Sequence, residues 1–306
     1  MMMGVESQLE TWSPESIKRA TLVEVEGVSL TNDLAENWDS LWAFKARPDD
    51  LLISTYPKAG TTWIQEIVDM IQHGGDSQKC ARAPIYHRIP FIDLFPPPPI
   101  PRGLDEAKVM PSPRTIKTHL PVQLVPPSFW EQNCKNGVQN FLEGIKLGGN
   151  RRQEELCRAE LTIRMKVLVF TLMVAWGSWL DHVCGWWEAK DRRPILYLFY
   201  EDMKEDPSRE IRKVAQFLGI QLPDPVLKQI VQHTAFESMK ANPMANYSTL
   251  PAFIMDQGVS PFMRKGMVGD WKEHFTVAQS EQMDDIFAQK LQSSGLTFRS
   301  QLGIQH

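Results

Sequence analysis

Leu51-Leu52-Ile53-Ser54-Thr55-Tyr56-Pro57-Lys58-Ala59-Gly60-Thr61-Thr62-Trp63 decides the fold. Its first five residues are a short apolar run of the kind that forms a strand buried on both faces. Past the turn, Ile64, Ile67, Val68 and Ile71 recur at i, i+3, i+4 and i+7, one apolar face of a helix, and Gly74-Gly75 can end it. Between strand and helix, Gly60 permits a turn that most residues resist. The amides of Gly60, Thr61 and Thr62 then open a helix, whose free N–H groups and positive partial charge suit a phosphate. Lys58 adds a cation and both threonines add hydroxyl donors. The same residues also fit an ordinary strand-to-helix turn with a threonine cap. The G-K-[ST] tripeptide of a Walker loop is missing, because here the lysine precedes the glycine.

The pattern repeats along the chain. Arg114–His119 is a second, more polar strand candidate, and Ile195–Tyr200 is a third and the clearest. Asp206-Pro207 reads as an N-cap with Pro at N1. The helix behind it carries Ile211, Val214, Ala215 and Leu218, with Gly219 at its end. Strands alternating with helices predict an α/β fold with a mostly parallel sheet, whose ligands sit beyond the carboxyl ends of the strands. The proline run Phe95–Pro101 predicts an extended surface loop. With no internal repeat and no long linker, the 306 residues read as a single domain.

Composition narrows the function. A net charge of −4 argues against a protein that coats nucleic acid. The longest apolar run, Val167–Trp176, is about half the ~20 residues of a bilayer span. The N-terminus lacks a basic-then-apolar leader pattern. The cysteines, Cys80, Cys134, Cys157 and Cys184, show no C-x-x-C spacing and read as reduced thiols, so the expectation is a cytoplasmic protein without a metal site.

Tyr56–Trp63, YPKAGTTW, resembles the 5′-phosphosulfate loop of the cytosolic sulfotransferases. Lys117–Pro121 (KTHLP), Leu198–Met203 (LFYEDM), Asn242–Tyr247 (NPMANY) and Pro261–Trp271 (PFMRKGMVGDW) are similar to further motifs of that family, in the same order. Lys272–Glu281 resembles its K-x-x-x-T-V-x-x-x-E dimerisation pattern, although Thr276 and Gln279 also fit a capping box. The chain looks most like the phenol and iodothyronine branch, in its 1C group.

The resemblance implies transfer of a sulfuryl group from 3′-phosphoadenosine 5′-phosphosulfate (PAPS) to a small phenolic or alcohol acceptor, by a homodimer and without a metal. His119 would be the base, since an imidazole titrating near 6.5 can accept a proton at neutral pH. Lys58 would neutralise charge on the departing phosphate, and Lys117 would help hold the transferring group. The nucleotide site would comprise Lys58, Ala59, Gly60, Thr61, Thr62 and Trp63, with Tyr200, Thr234 and Met239 at the adenine and sugar, and Phe262, Met263, Arg264, Lys265 and Gly266 at the 3′-phosphate. Lys117, Thr118, His119 and Phe91 would meet the acceptor. The other histidines, His73, His87, His182, His233, His274 and His306, read as solvated or core residues.

The motifs lapse over 136–175, where the family's central strand and its 3′-phosphate arginine and serine are expected, and neither residue is assigned here. The expectation is a gap in the sheet, or its filling by Val167-Leu168-Val169-Phe170. Loss of one charged phosphate contact costs roughly 1.5–3 kcal/mol. With the serine and backbone donors also gone, the total predicts PAPS binding weaker by some hundreds-fold, at tenfold per 1.4 kcal/mol. An alternative reading is a non-catalytic homologue acting at most through dimerisation. A nucleotide kinase is disfavoured by the missing G-K-[ST] and magnesium carboxylate.

Overall fold

The computed structural model describes residues 21–96, 100–140, 175–251, 255–258, 261–263, 265–268, 277–292 and 294–298. An antiparallel hairpin, β1 (Leu22–Val25) and β2 (Val28–Thr31), precedes the main sheet. That sheet is built from β3 (Leu51–Thr55), β4 (Thr115–Thr118), β5 (Lys135–Asn140) and β6 (Ile195–Phe199), all parallel, in the order β4-β3-β5-β6.

Alternation along the strands assigns each face its own core. Leu52 of β3 and Ile116 of β4 join Leu120, Phe129 and Trp186 on one side. Leu51 and Ile53 face the other side, against Ile64, Ile67, Val68 and Ile71 of α1 (Thr61–Gln72). α2 (Gly103–Val109) precedes β4, and α3 (Trp179–Ala189) precedes β6. After β6 come α4 (Pro207–Leu218), α5 (Asp224–His233) and α6 (Phe236–Ala241), and α7 (Val277–Leu291) lies near the C-terminus. The caps read from sequence are present. Asp206 accepts from the Arg209 amide at 2.9 Å to open α4, and Gly219 follows it at φ +77°.

One expectation fails. The sheet has no gap at its centre, and the strand there is Lys135–Asn140, the start of the segment in which the motifs lapse. Gly137 stands opposite Ile53 of β3 and Leu196 of β6. The stretch KNGVQN carries one apolar side chain, so pattern reading rejects it. Its place is set instead by backbone pairing on both edges, which any non-proline residue can supply. Buried Asn136 also turns its amide to the Cys134 carbonyl at 2.7 Å. Val167–Phe170, the expected substitute, lies outside the described residues, as does the middle of the proline run.

Candidate active site

The carboxyl ends of β3 and β4 bring the phosphate loop and the KTHLP segment side by side. In the loop, Lys58 and Gly60 both take left-handed backbone, at φ +65° and +88°. α1 therefore opens on a residue with no side chain to cap it. Thr61 and Thr62, both buried, form its first turn, and the hydroxyls of Thr55 and Thr61 are 2.6 Å apart. Ala59 is buried beneath the loop. Trp63 meets Tyr200 edge to face at 5.3 Å, and its buried indole nitrogen has no hydrogen-bond partner among the described residues.

The C-terminal basic segment docks on this loop. The Phe262 ring is 5.0 Å from Lys58 Nζ and 4.2 Å from the Tyr247 ring. Tyr247 is hydrogen-bonded to Thr62, and burial raises its phenol to about 12. Gly266, at φ +63°, approaches α6 so closely that a Cβ there would lie 2.7 Å or less from the Phe236 ring. Phe236 falls between Thr234, which closes α5 with its hydroxyl on the Ile230 carbonyl at 2.8 Å, and buried Met239. Met263 and Lys265 are described, whereas Arg264 lies outside the described residues.

His119 follows β4 and is buried. Its Nδ1 is 2.6 Å from the Thr55 carbonyl oxygen, which can only accept, so Nδ1 carries the proton and Nε2 keeps its lone pair. Burial first, and then the neighbouring Lys117, hold the imidazole well below its ordinary 6.5, so it is neutral at physiological pH. Its ring meets Phe91 and Trp176 edge-on at 4.7 and 5.1 Å, while those two stack at 5.9 Å. Phe91 is bridged to Lys117 through the backbone and lies under its ammonium, 4.0 Å from Nζ to the ring centroid. Burial lowers Lys117 to about 8. Asp93 opposes that shift and Lys58 adds to it.

Asp93, Trp176, Tyr56 and His182 were assigned no part in the site by sequence reading. Asp93 accepts from the His119 amide at 3.1 Å and from the Trp176 indole at 2.6 Å. Thr118, expected at the acceptor, turns its hydroxyl to Asp93. Tyr56 donates to the Gly177 carbonyl at 2.9 Å and lies edge-on to His182. His182, read as solvated or core, is fully buried against the backbone of His119 and Leu120. Nothing in the spacing marks these residues. His73, His87 and His233 pair instead with Asp69, Glu106 and Glu66, while His274 and His306 lie outside the described residues.

Asp69, His73 and Cys80 hold potential metal-ligating atoms within 4.8 Å of one another. Asp69, however, is gripped by Arg82 at 2.8 and 3.0 Å and by Arg88. Two guanidiniums already supply the positive charge there, which makes this an ion-pair network.

The sulfotransferase domain model matches residues 48–136 and 157–295, well over half the chain. The break between the two matched stretches, 137–156, falls inside the segment where the motifs lapse. Sulfotransferase 1C2 of Oryctolagus cuniculus is 53% identical over 92% of this chain and 96% of its own length. Sulfotransferase 1C2 of Homo sapiens is 52% identical over 93% and 97%. A solved mouse sulfotransferase, SULT7A1, complexed with PAP is 28% identical with a TM-score of 0.68, covering 90% of this chain and 95% of that one. Retinol dehydratase, at 19% identity and a TM-score of 0.73 over 92% of each chain, shares the fold. Domain match and relatives together establish that the chain belongs to the sulfotransferase family, in its 1C group, and is a PAPS-dependent sulfotransferase enzyme.

Proposed function

We propose that the chain transfers the sulfuryl group of PAPS to the hydroxyl of a small phenolic or alcohol acceptor, with His119 Nε2 as the base. The observation that carries this reading is the Nδ1 contact to the Thr55 carbonyl at 2.6 Å. It fixes the tautomer, aims a lone pair away from β3, and leaves a neutral ring ready to take a proton. PAPS supplies an activated sulfuryl group on a phosphate leaving group.

The residues fit that nucleotide. Gly60 opens α1 with no side chain in the way, and Gly266 occupies ground that a Cβ would close. The buried Trp63 indole nitrogen awaits a partner. Lys58, Ala59, Gly60, Thr61 and Thr62 hold the 5′ end, with backbone N–H groups aimed outward from the helix terminus. Trp63, Tyr200, Thr234 and Met239 take the adenine and sugar. Phe262, Met263, Arg264, Lys265 and Gly266 take the 3′-phosphate. The SULT7A1 structure was solved with PAP, the desulfated nucleotide, which supports this use of the fold. Lys58 and Lys117 hold positive charge where the leaving oxygen becomes negative.

Lys117, Thr118, His119 and Phe91 face the acceptor. The stacked Phe91 and Trp176 rings form a flat apolar wall beside the base, which suits a planar phenol and keeps water off the reacting oxygen. The chain works in the cytoplasm as a homodimer joined through Lys272–Glu281. That segment's described part begins at Val277, which is exposed at the start of α7.

Transfer of radiolabelled sulfate from PAPS to a panel of simple phenols tests the reading. His119→Ala should lower kcat by about 10²–10⁴-fold, while calorimetry shows PAP binding unchanged. Full turnover by His119→Ala would refute the base assignment.

A further inference from the structure

One group lies at the centre of the site and takes no part in the transfer chemistry. Asp93 is a fully buried carboxylate on the loop after Phe91. Both of its oxygens face the His119 amide, at 3.1 and 3.4 Å, and Oδ2 also receives the Trp176 indole N–H at 2.6 Å. The Thr118 hydroxyl makes a further hydrogen bond to it, and Lys117 lies within electrostatic reach. Three consecutive residues of the KTHLP segment and one aromatic wall residue therefore converge on a single side chain.

We propose that Asp93 is the positioning residue of this site: it fixes the His119 backbone and the Trp176 ring together and, one residue past the Ile92 N–H bond to the Lys117 carbonyl at 3.1 Å, sets a buried carboxylate beside that lysine. This inference rests on the sulfuryl-transfer reading above.

An ionised carboxylate only accepts, so three converging donors are all satisfied. An asparagine of the same shape turns an N–H toward at least one of them, leaving a buried donor unpaired. Trp176 is held in left-handed backbone at φ +77°, a conformation that a non-glycine residue keeps only when its surroundings enforce it, and the Asp93 contact is one such restraint. Among the described residues, the charged groups acting on Lys117 are Asp93 and Lys58 on the phosphate loop, and the neutral His119 ring is its titratable neighbour. Of these, Asp93 alone is an acid. Removing its charge leaves burial and Lys58 unopposed, and both favour the neutral amine.

The experiment follows the lysine directly. The full chain, carrying 13C at lysine Cε, is titrated by NMR, with the Lys117 signal assigned by its absence in Lys117→Arg. In Asp93→Asn, Lys117 should titrate about one pH unit lower or more, and the alkaline limb of the kcat profile should move with it. An unmoved Lys117 in Asp93→Asn overturns the proposal. If Lys117 moves but the unmodified chain transfers no sulfate, the positioning role stands and the functional reading fails. If the unmodified chain is active and Lys117 does not move, the reverse holds. Should Asp93→Asn fail to fold, Trp176→Phe decides, because it keeps an aromatic ring on the wall while deleting the indole N–H that Asp93 accepts. The acceptor KM should then rise about tenfold or more with kcat within about twofold, the cost of losing one charged hydrogen bond. An unchanged KM overturns the proposal.

Discussion

Gly137→Ala is the substitution that most directly tests the central strand. Gly137 stands in register between Ile53 and Leu196, so a Cβ there joins the face those residues share. Among the described residues nothing lies within 4 Å of that Cβ, and the backbone there is not left-handed. Beside it is an apolar void of about 10 Å³, bounded by Leu51, Ile53, Val68, Leu196 and Phe217. Two contributions favour the alanine. Glycine inside a strand costs roughly 0.5–1 kcal/mol in backbone freedom. Burying one methyl adds about 0.8 kcal/mol. The expected gain is therefore about 1–2 kcal/mol. At ~2.1 cal/mol/K of unfolding entropy per residue, that raises Tm by about 2–3 °C for a chain of this length. Urea unfolding with an unchanged slope gives the free energy, and calorimetry gives Tm. A change within about ±0.5 kcal/mol would mean that Gly137 lies on an exposed loop. A loss above about 1 kcal/mol would mean that the space is already filled.

Other substitutions probe the site from different sides. Gly103→Ala should act in the opposite sense, because its Cβ would lie 2.6 Å or less from the Phe91 backbone. We expect a loss of about 1–3 kcal/mol in urea unfolding and a raised acceptor KM, and an unchanged KM would separate α2 from the acceptor wall. Gly266→Ala meets both the Phe236 ring and a positive φ. It should weaken PAP binding at least about tenfold by calorimetry, the effect of some 1.4 kcal/mol, and unaltered affinity would remove Gly266 from the nucleotide site. The native affinity for PAP is itself informative, since micromolar or tighter binding would show that the hundreds-fold weakening expected from the lapsed motifs is compensated.

Stability should also fall in acid. Burial lowers His182 to about 3, so only the unfolded chain takes up this proton between pH 6.5 and 3, and stability is lost as pH falls. Between pH 6.5 and 5 that loss is about 2 kcal/mol, and His119, lowered for the same reason, adds to it. Asp93, raised to about 6, works the other way. It is protonated in the folded chain first and returns about 1 kcal/mol between pH 6 and 5. The histidines win, so Tm should be lower at pH 5 than at pH 7, and His182→Leu should flatten the dependence. A Tm independent of pH over that range would refute the burial argument.

Local pattern was enough for much of the frame. Leu51–Thr55 and Ile195–Phe199 declare themselves as strands because each is a short run rich in apolar residues, the first buried throughout and the second half-buried at the sheet edge. The faces of α1 and α4 follow from a 3.6-residue period, and their ends from Gly60, Asp206 and Gly219. The turn at Gly60 was legible because turn chemistry is a local property of the chain, whereas His119 was singled out by the family motif and the strand end at which it lies. Three things were decided only by tertiary structure. Lys135–Asn140 became the central strand because its neighbours offered unpaired edges on both sides, and hydrogen-bonding backbone has no side-chain signature. Trp176 and His182 came to the base from 57 and 63 positions away in the chain, a distance across which no periodicity carries. Asp93 acquired its importance from burial, since a lone carboxylate in sequence looks like any solvated one. Only in the folded protein, with water excluded, must its charge be answered by His119, Trp176 and Lys117.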